Sequence, residues 1–177
     1  MHAFLPKTPP IRDYKTKAKS LSNLTRVASK LPKLLLTNKV QTTINNLKKD
    51  EFSIDSLINK KSEKEINLAM VHLSFIAHAF IWGGHKPQKI LPEVIAKPWV
   101  KLANYLERPP ILSYASYCLH NWYKINKSEP ISLNNVALIN NFLGGVDEDW
   151  FVTVHVCIED AASEAINAAY KLSRLEE

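Results

Sequence analysis

The stretch SEKEINLAMVHLSFIAHAFIWGG, residues 62–84, decides the fold because it contains the longest apolar run of the chain. Ser62 followed by Glu65 has the form of a capping box at a helix start, and paired glycines are typical of a helix end. Polar side chains interrupt the apolar run, so it lacks the roughly 18 to 20 unbroken apolar residues of a membrane span. We expect a helix that ends near Trp82 and is buried in a core, and no membrane partner.

Helical periodicity continues on the N-terminal side of this segment. Apolar residues recur at helical spacing from Ser20 to Leu31 and again from Leu34 to Leu47, with a break at Pro32 between them. No stretch of the chain shows the sustained alternation with paired turn signals that a β-hairpin needs. We therefore predict an all-α fold.

Prolines divide the middle of the chain. Pro87, Pro92 and Pro98 predict an ordered loop, followed by a short helix around Trp99–Leu106. Apolar residues at helical spacing then predict a helix that is buried along one side over Ile111–Tyr123.

Two further helices are expected towards the end of the sequence. Ser132 is a candidate cap for a helix that ends at Gly144 and Gly145. Acidic residues at 147–149 then stand at the start of a helix running from about Trp150 to Leu175, where the helix macrodipole favours negative charge. We treat the chain as one compact unit.

Positive charge is concentrated at the N-terminus. The formal charge is +6 over 177 residues, but residues 1–50 hold eleven Lys and Arg against two Asp and Glu, whereas the remainder holds twelve against fifteen. Few aromatic residues lie among these lysines to stack on bases, so we interpret them as a solvated surface and expect no nucleic-acid partner. The N-terminus has no apolar stretch typical of a secretory signal, and the two cysteines show no disulfide framework; a cytoplasmic location is expected.

Histidines are the candidate chemical groups of the chain. His72 and His78 are six residues apart, which puts them on different sides of a helix, so we interpret both as core or surface residues. Phe151 and His155, at i and i+4, share one helical face with Val152 beside them. A lone histidine among apolar residues is typical of a satisfied core residue as well as of a functional one, and periodicity leaves both interpretations open.

Three segments, in this order and spacing, resemble the indoleamine 2,3-dioxygenase family. They are WGGHKPQKILPEVIAKPW (82–99), RPPILSYASYCLHNW (108–122) and DWFVTVHVCIEDAASEAI (149–166). LPKLLLTNKV (31–40) and FSIDSLINKKSEKEINLA (52–69) are similar to the small N-terminal helical domain of that family. The resemblance covers nearly the whole chain.

This resemblance implies a haem-dependent dioxygenase. Haem b lies between a small and a large helical domain in the family, and both atoms of O2 are inserted across the C2=C3 bond of an indole, with tryptophan as the first candidate substrate and N-formylkynurenine as its product. By resemblance, the residues of the distal pocket are Tyr114, Tyr117, Cys118, Phe151, Val152 and His155.

His155 is the candidate catalytic residue in this comparison. Its ring, if neutral, is able to accept a hydrogen bond from the indole N–H. Animal members of the family have serine at this position, and Tyr117 replaces the usual cysteine. These departures leave open which indole is preferred.

The resemblance also implies a division of the chain and a missing part. Residues 1–146 correspond to the small domain, and residues 147–177 correspond to the start of the distal helix that leads towards the large domain. No histidine follows His155, so the proximal histidine is expected in a large domain or complementary chain, and no metal ligand is expected here.

The chain alone is therefore expected to be inactive, and a fragment, a split subunit and a truncated product all remain open. The main alternative is a non-enzymatic helical module, derived from the family, that binds a partner through its apolar surface. A basic nucleic-acid-binding protein is the weaker alternative, because the sequence has no recognised motif of that class.

Overall fold

The computed structural model describes residues 4–174, which are mostly helical. The helices are α1 (Lys19–Ala28), α2 (Leu31–Leu36), α3 (Val40–Asn45), α4 (Asp55–Lys60), α5 (Glu63–Trp82), α6 (Glu93–Tyr105) and α7 (Val146–Ser173). A π-helical turn spans Ala115–Leu119, and strand β1 (Trp122–Lys124) pairs antiparallel with β2 (Val136–Leu138). The predicted all-α class is confirmed, with this short hairpin as its only strand pairing in the described part of the chain.

Helix α5 is the centre of the fold. It packs against α1, α2, α3, α4, α6 and the π-helical turn, and fourteen of its twenty residues are buried. Its length and composition alone would allow a membrane span, but 78% of its most apolar window is buried inside the fold. A helix that is apolar all round is typical of such a core position. The predicted buried helix ending at Trp82 is therefore confirmed.

The start of α5 differs in detail from the predicted capping box. Ser62 precedes the helix as expected, but its side chain does not cap the helix amides. The buried Glu65 carboxylate instead accepts hydrogen bonds from the Thr16 amide (2.7 Å) and hydroxyl (3.1 Å). Burial would raise the pKa of Glu65, but these and neighbouring hydrogen bonds outweigh burial and hold it below its usual range. Glu65 thereby ties the N-terminal segment to the core helix.

Two helix predictions around prolines need correction. The segment Leu34–Leu47 is not one helix, because Asn38 adopts a left-handed conformation (φ 54°) between α2 and α3. Helix α6 begins at Glu93 and contains Pro98, although a loop was predicted there. The proline removes one helical hydrogen bond. Burial of Pro98 and of Trp99, whose indole N–H donates to the Ser74 hydroxyl at 3.1 Å, offsets that loss.

The predicted helices over Ile111–Tyr123 and from Ser132 to Gly144 were wrong in large part. Only the five-residue π-helical turn is helical there, and the rest forms the hairpin and its loops. Asn121 holds these loops together: its side-chain amide donates to the Asn140 carbonyl (2.9 Å), and its side-chain oxygen accepts from the Asn140 amide (2.8 Å). Such side-chain bonds to the backbone replace the hydrogen bonds of a helix.

Helix α7 is packed only near its start. It has 28 residues, of which Val152, Thr153 and Val156 are buried, and it lies against the π-helical turn and β2. The predicted helix is confirmed, although it begins four residues earlier than Trp150; its predicted end at Leu175 lies outside the described residues. The division of the chain at residue 146 remains a prediction.

The two histidines of α5 have separate structural partners. His72 is buried, and its Nδ1 shares a hydrogen bond of 3.0 Å with the Tyr14 hydroxyl. The Nδ1–H of His78 donates to the Ser74 carbonyl at 3.0 Å, and its ring meets Trp99 edge-on. Within residues 4–174, no group of three His, Cys, Asp or Glu side chains is placed to hold a metal ion.

Buried histidines predict a loss of stability in mild acid. Burial lowers the pKa of His72 from 6.5 to about 3, and burial with the nearby Arg108 lowers the pKa of His120 to about 4. Below pH 6.5 the unfolded chain therefore binds protons that the folded protein does not bind. The free energy of unfolding should fall towards pH 5, with a slope that approaches about 1.4 kcal/mol per pH unit for each ring as the unfolded histidines become fully protonated.

Urea unfolding at several values between pH 7.5 and pH 5 would measure this dependence. His72→Gln, which keeps a hydrogen-bond acceptor for Tyr14, should have a shallower dependence on pH than the wild type. His85→Gln, at an exposed position, is the matched control and should retain the full slope. Equal slopes for all three proteins would show that His72 is not held neutral by the fold.

Candidate functional site

The predicted site residues come from two neighbouring elements. Tyr114 immediately precedes the π-helical turn, which carries Tyr117 and Cys118. Phe151, Val152 and His155 lie on the first turns of α7, which packs against that turn. The structure therefore brings all six residues into one region, although at least 32 residues of sequence lie between the two groups.

These residues form two layers. Cys118 and Val152 are fully buried in a small core with Trp122 and Val136. Burial raises the pKa of the Cys118 thiol to about 11, so the thiol is protonated near neutral pH. Both side chains form an inner layer beneath the other four site residues, and neither side chain is exposed to solvent. This placement differs from that of Phe151 and its neighbours, which lie in the outer layer.

The outer layer is a contiguous group of rings. The rings of Phe151 and His155 are 4.3 Å apart between centroids, and the Tyr114 ring meets His155 edge-on at 5.9 Å. Tyr117 lies 6.0 Å from Phe151 and stacks on Phe75 of α5 at 5.6 Å. Tyr114 and Phe151 are 43% and 48% exposed. The group is thus anchored in the core at one end and open to solvent at the other. We call it the aromatic face.

His155 is held in a defined tautomer by its own helix. Its Nδ1 lies 2.6 Å from the carbonyl oxygen of Phe151, one turn earlier. Because a carbonyl only accepts hydrogen bonds, Nδ1 carries the hydrogen, and in the neutral ring Nε2 is then an acceptor. The sequence predicted the shared face of these two residues correctly. Which nitrogen remains available follows only from the structure.

Glu159 belongs to the site and was missed in the sequence. The Tyr114 hydroxyl donates a hydrogen bond to its carboxylate at 2.9 Å. Burial and the adjacent Glu159 both raise the pKa of Tyr114. Glu159 lies four residues after His155 and therefore on the same side of α7. That spacing alone does not single it out, because glutamates are common on the solvated sides of surface helices. Its effect is to fix the tyrosine ring beside His155.

The loop before α7 is fixed by a single carboxylate. Glu148 accepts hydrogen bonds from the amides of Phe142 (2.7 Å), Leu143 (2.9 Å) and Gly144 (3.1 Å). Phe142 in turn stacks on Phe75 at 4.6 Å. The acidic residues were predicted to favour the helix start through its dipole, and the structure adds this direct bonding. Glu148 thus sets where α7 begins and where its aromatic face points.

The outward side of α7 continues as an apolar surface. Phe151, His155, Ile158 and Ala162 follow one another at the spacing of a single helical face. Ile158 is 55% exposed. Exposed apolar surfaces of this kind mark sites where ligands or other protein segments bind.

The chain is similar to known proteins along nearly its whole length. The family profile described as Indoleamine 2,3-dioxygenase matches residues 1–175. The chain is 34% identical to Indoleamine 2,3-dioxygenase of Saccharomyces cerevisiae, over 98% of this chain and 38% of that protein. It is also 34% identical to Indoleamine 2,3-dioxygenase 1 of Mus musculus, over 80% of this chain and 34% of that protein.

These matches define the class of protein as a dioxygenase by family. The chain belongs to the indoleamine 2,3-dioxygenase family, which confirms the resemblance seen in its sequence. It spans less than two fifths of the length of the yeast and mouse relatives.

Removing the Glu148 carboxylate should destabilise the start of α7. Glu148→Ala leaves three amides without their acceptor, and we expect a loss of about 1–3 kcal/mol in the free energy of unfolding. Asp147→Ala is the matched control, since it removes the same charge from the same helical turn. Within residues 4–174 the Asp147 side chain makes no hydrogen bond, so its loss should cost less than about 0.5 kcal/mol. Urea unfolding measures both, and equal losses would mean that only helix-dipole charge matters.

Proposed function

We propose that this chain forms the distal half of a haem b pocket in an indoleamine or tryptophan 2,3-dioxygenase. In the complete protein, both atoms of O2 would be inserted across the indole C2=C3 bond, converting tryptophan or another indole to its N-formylkynurenine-type product. Family membership supports the reaction class. The observation that carries the proposal for this chain is the solvent-open aromatic face, in which His155 stands between Phe151 and Tyr114.

The aromatic face suits a flat apolar cofactor and an indole. Rings and small side chains, including Ala162, dominate the outward side of α7, and a planar macrocycle or bicyclic ring would pack on them. The same face offers a placed polar acceptor, the Nε2 of His155, whose tautomer is fixed by the Phe151 carbonyl. An apolar wall with few placed polar groups is typical of small-molecule and cofactor sites. The residues present therefore fit the group that the family implies.

Each residue of the face has a role in this proposal. His155 accepts a hydrogen bond from the indole N–H and so orients the ring. Phe151 and Tyr114 pack against the apolar ring, and Glu159 holds Tyr114 in place through its hydroxyl. The Tyr117 ring contacts the Phe151 ring and helps to hold it in position. When bound, haem supplies the electronic chemistry of oxygen insertion, while these side chains supply orientation and polarity.

The resemblance assigns the iron ligand to a histidine of the large domain. We propose that such a domain, in the same or a complementary chain, covers the outward side of α7 and completes the pocket. The exposed apolar side chains of the helix support this arrangement, because they have no cover within residues 4–174; they include Trp150, Phe151 and Ile158. Without that domain, the chain is not expected to turn over tryptophan.

A second candidate function uses the same surface differently. The exposed apolar side of α7 also suits a non-enzymatic helical module that binds a protein partner. The two functions differ at His155. A catalytic pocket requires its Nε2, whereas a partner interface requires only the apolar rings around it. Substitution of His155 therefore separates them.

His155→Ala should lower turnover without loss of haem. The test uses a chimera in which this chain replaces the matching part of the yeast relative, which keeps that protein's own remaining sequence. If His155 orients the substrate, kcat/KM for tryptophan should fall by roughly 10- to 10⁴-fold, the range for a positioned orienting or acid–base group. Activity is measured per bound haem as formation of N-formylkynurenine.

His85→Ala is the matched control, because its imidazole is exposed in the loop after α5, and it should leave kcat/KM within about twofold. The melting temperature of each variant is measured in parallel. A core role for His155 predicts instead a stability loss of about 1–3 kcal/mol with unchanged turnover per haem. That outcome would contradict the proposed role of His155, and a soluble, haem-free chimera would contradict the proposed pocket.

A further inference from the structure

A concave basic region lies between the N-terminal segment, the start of α5 and the hairpin. Its volume is about 730 Å³, and five cationic side chains line it: Arg12, Lys15, Lys64, Lys124 and Lys127. Among the described residues of the lining, Asp13 is the one carboxylate. We call this region the basic cleft. An adjoining cleft of about 470 Å³ shares Lys64 and adds Lys7, together with Glu63. None of the residues of the aromatic face lines either cleft.

The positive charges of the basic cleft are not compensated by the fold. Within residues 4–174 the ion pairs join Lys49 and Lys97 to Glu93, and Lys101 to Asp55. No cation of the basic cleft takes part in them. Five positive charges against one negative charge in a concave surface raise the local potential and the local concentration of anions. The cleft therefore has the electrostatic character of an anion site.

Arg12 is held in an orientation that suits an anionic ligand. Its guanidinium lies over the Tyr123 ring, 5.0 Å from the ring centre. A guanidinium that lies over an aromatic ring keeps the N–H groups at its edge available to donate. These donors match pairs of phosphate or carboxylate oxygens. Lys64 and Lys124 stand on α5 and β1, so regular structure carries two of the other charges.

The shape and composition of the basic cleft select the class of ligand. A concave site with several separated cations favours a compact molecule with several phosphate groups. One face of Tyr123 is covered by Arg12, and the Tyr14 ring packs against the main core and meets His72 edge-on. Single-stranded nucleic acids need free aromatic faces for base stacking. These contacts leave neither tyrosine with an open ring face towards the basic cleft. We propose that the basic cleft binds a small oligophosphate ligand, with Arg12 and Lys64 as its main contacts.

Calorimetric titration of the 177-residue chain with inorganic tripolyphosphate tests this proposal. Saturable binding with a stoichiometry of one is expected at 150 mM salt, a concentration at which diffuse surface attraction is largely screened. The double variant Arg12→Gln/Lys64→Gln should bind at least tenfold more weakly. Arg12→Lys keeps the charge but loses the planar set of guanidinium donors. Its affinity for tripolyphosphate should lie between those of the wild type and the double variant.

The matched control is Lys33→Gln/Lys39→Gln, which removes the same charge from two exposed lysines outside the basic cleft. It should change the dissociation constant by less than twofold. Circular dichroism and melting temperature confirm folding of every variant. Equal weakening by the control would overturn the proposal in favour of net-charge attraction, and so would the absence of saturable binding. Tighter, base-dependent binding of a single-stranded RNA of equal charge would overturn it in favour of nucleic acid. Because the test needs no haem, its result is independent of the proposed dioxygenase function.

Discussion

The burial of α5 on every side is the constraint on which the rest of the structure depends. A helix that is apolar all round has to be covered all round, and six other elements do so. The few polar side chains of α5 fix the positions of the elements packed around it. Glu65 binds Thr16, His72 binds Tyr14, and Ser74 accepts from Trp99. Buried polar groups of this kind are costly when unpaired, so each bond favours one arrangement of the surrounding segments.

The same helix determines where the aromatic face lies. Phe75 stacks on Phe142 and Tyr117, which connect the core to the loop before α7 and to the π-helical turn. Glu148 then fixes that loop, and Tyr117 contacts Phe151 on the helix itself. Helix α7 has little buried surface of its own, so its position depends on these few contacts. The proposed distal pocket is thus an extension of the main core.

The sequence predicted those parts of the fold and site whose signals are local. Helices α5 and α7 followed from apolar runs, glycines and acidic residues near their ends, and the shared face of Phe151 and His155 followed from their spacing. The segment between α6 and α7 was mispredicted because Asn121 satisfies the backbone across a large sequence separation. The resemblance implied that Cys118 and Val152 line a pocket, but only their packing shows that they lie beneath the aromatic face.

The outward side of α7 is proposed to form the distal wall of a haem pocket. The most direct measurement is the C–O stretching frequency of carbon monoxide bound to ferrous haem in the chimera with the yeast relative. We predict that His155→Phe, which keeps a ring but removes the Nε2 that the helix leaves free, shifts this frequency, because an imidazole in the proposed distal wall would polarise the bound gas. An identical frequency in the two proteins, at equal haem content, would place His155 away from the haem and contradict the account.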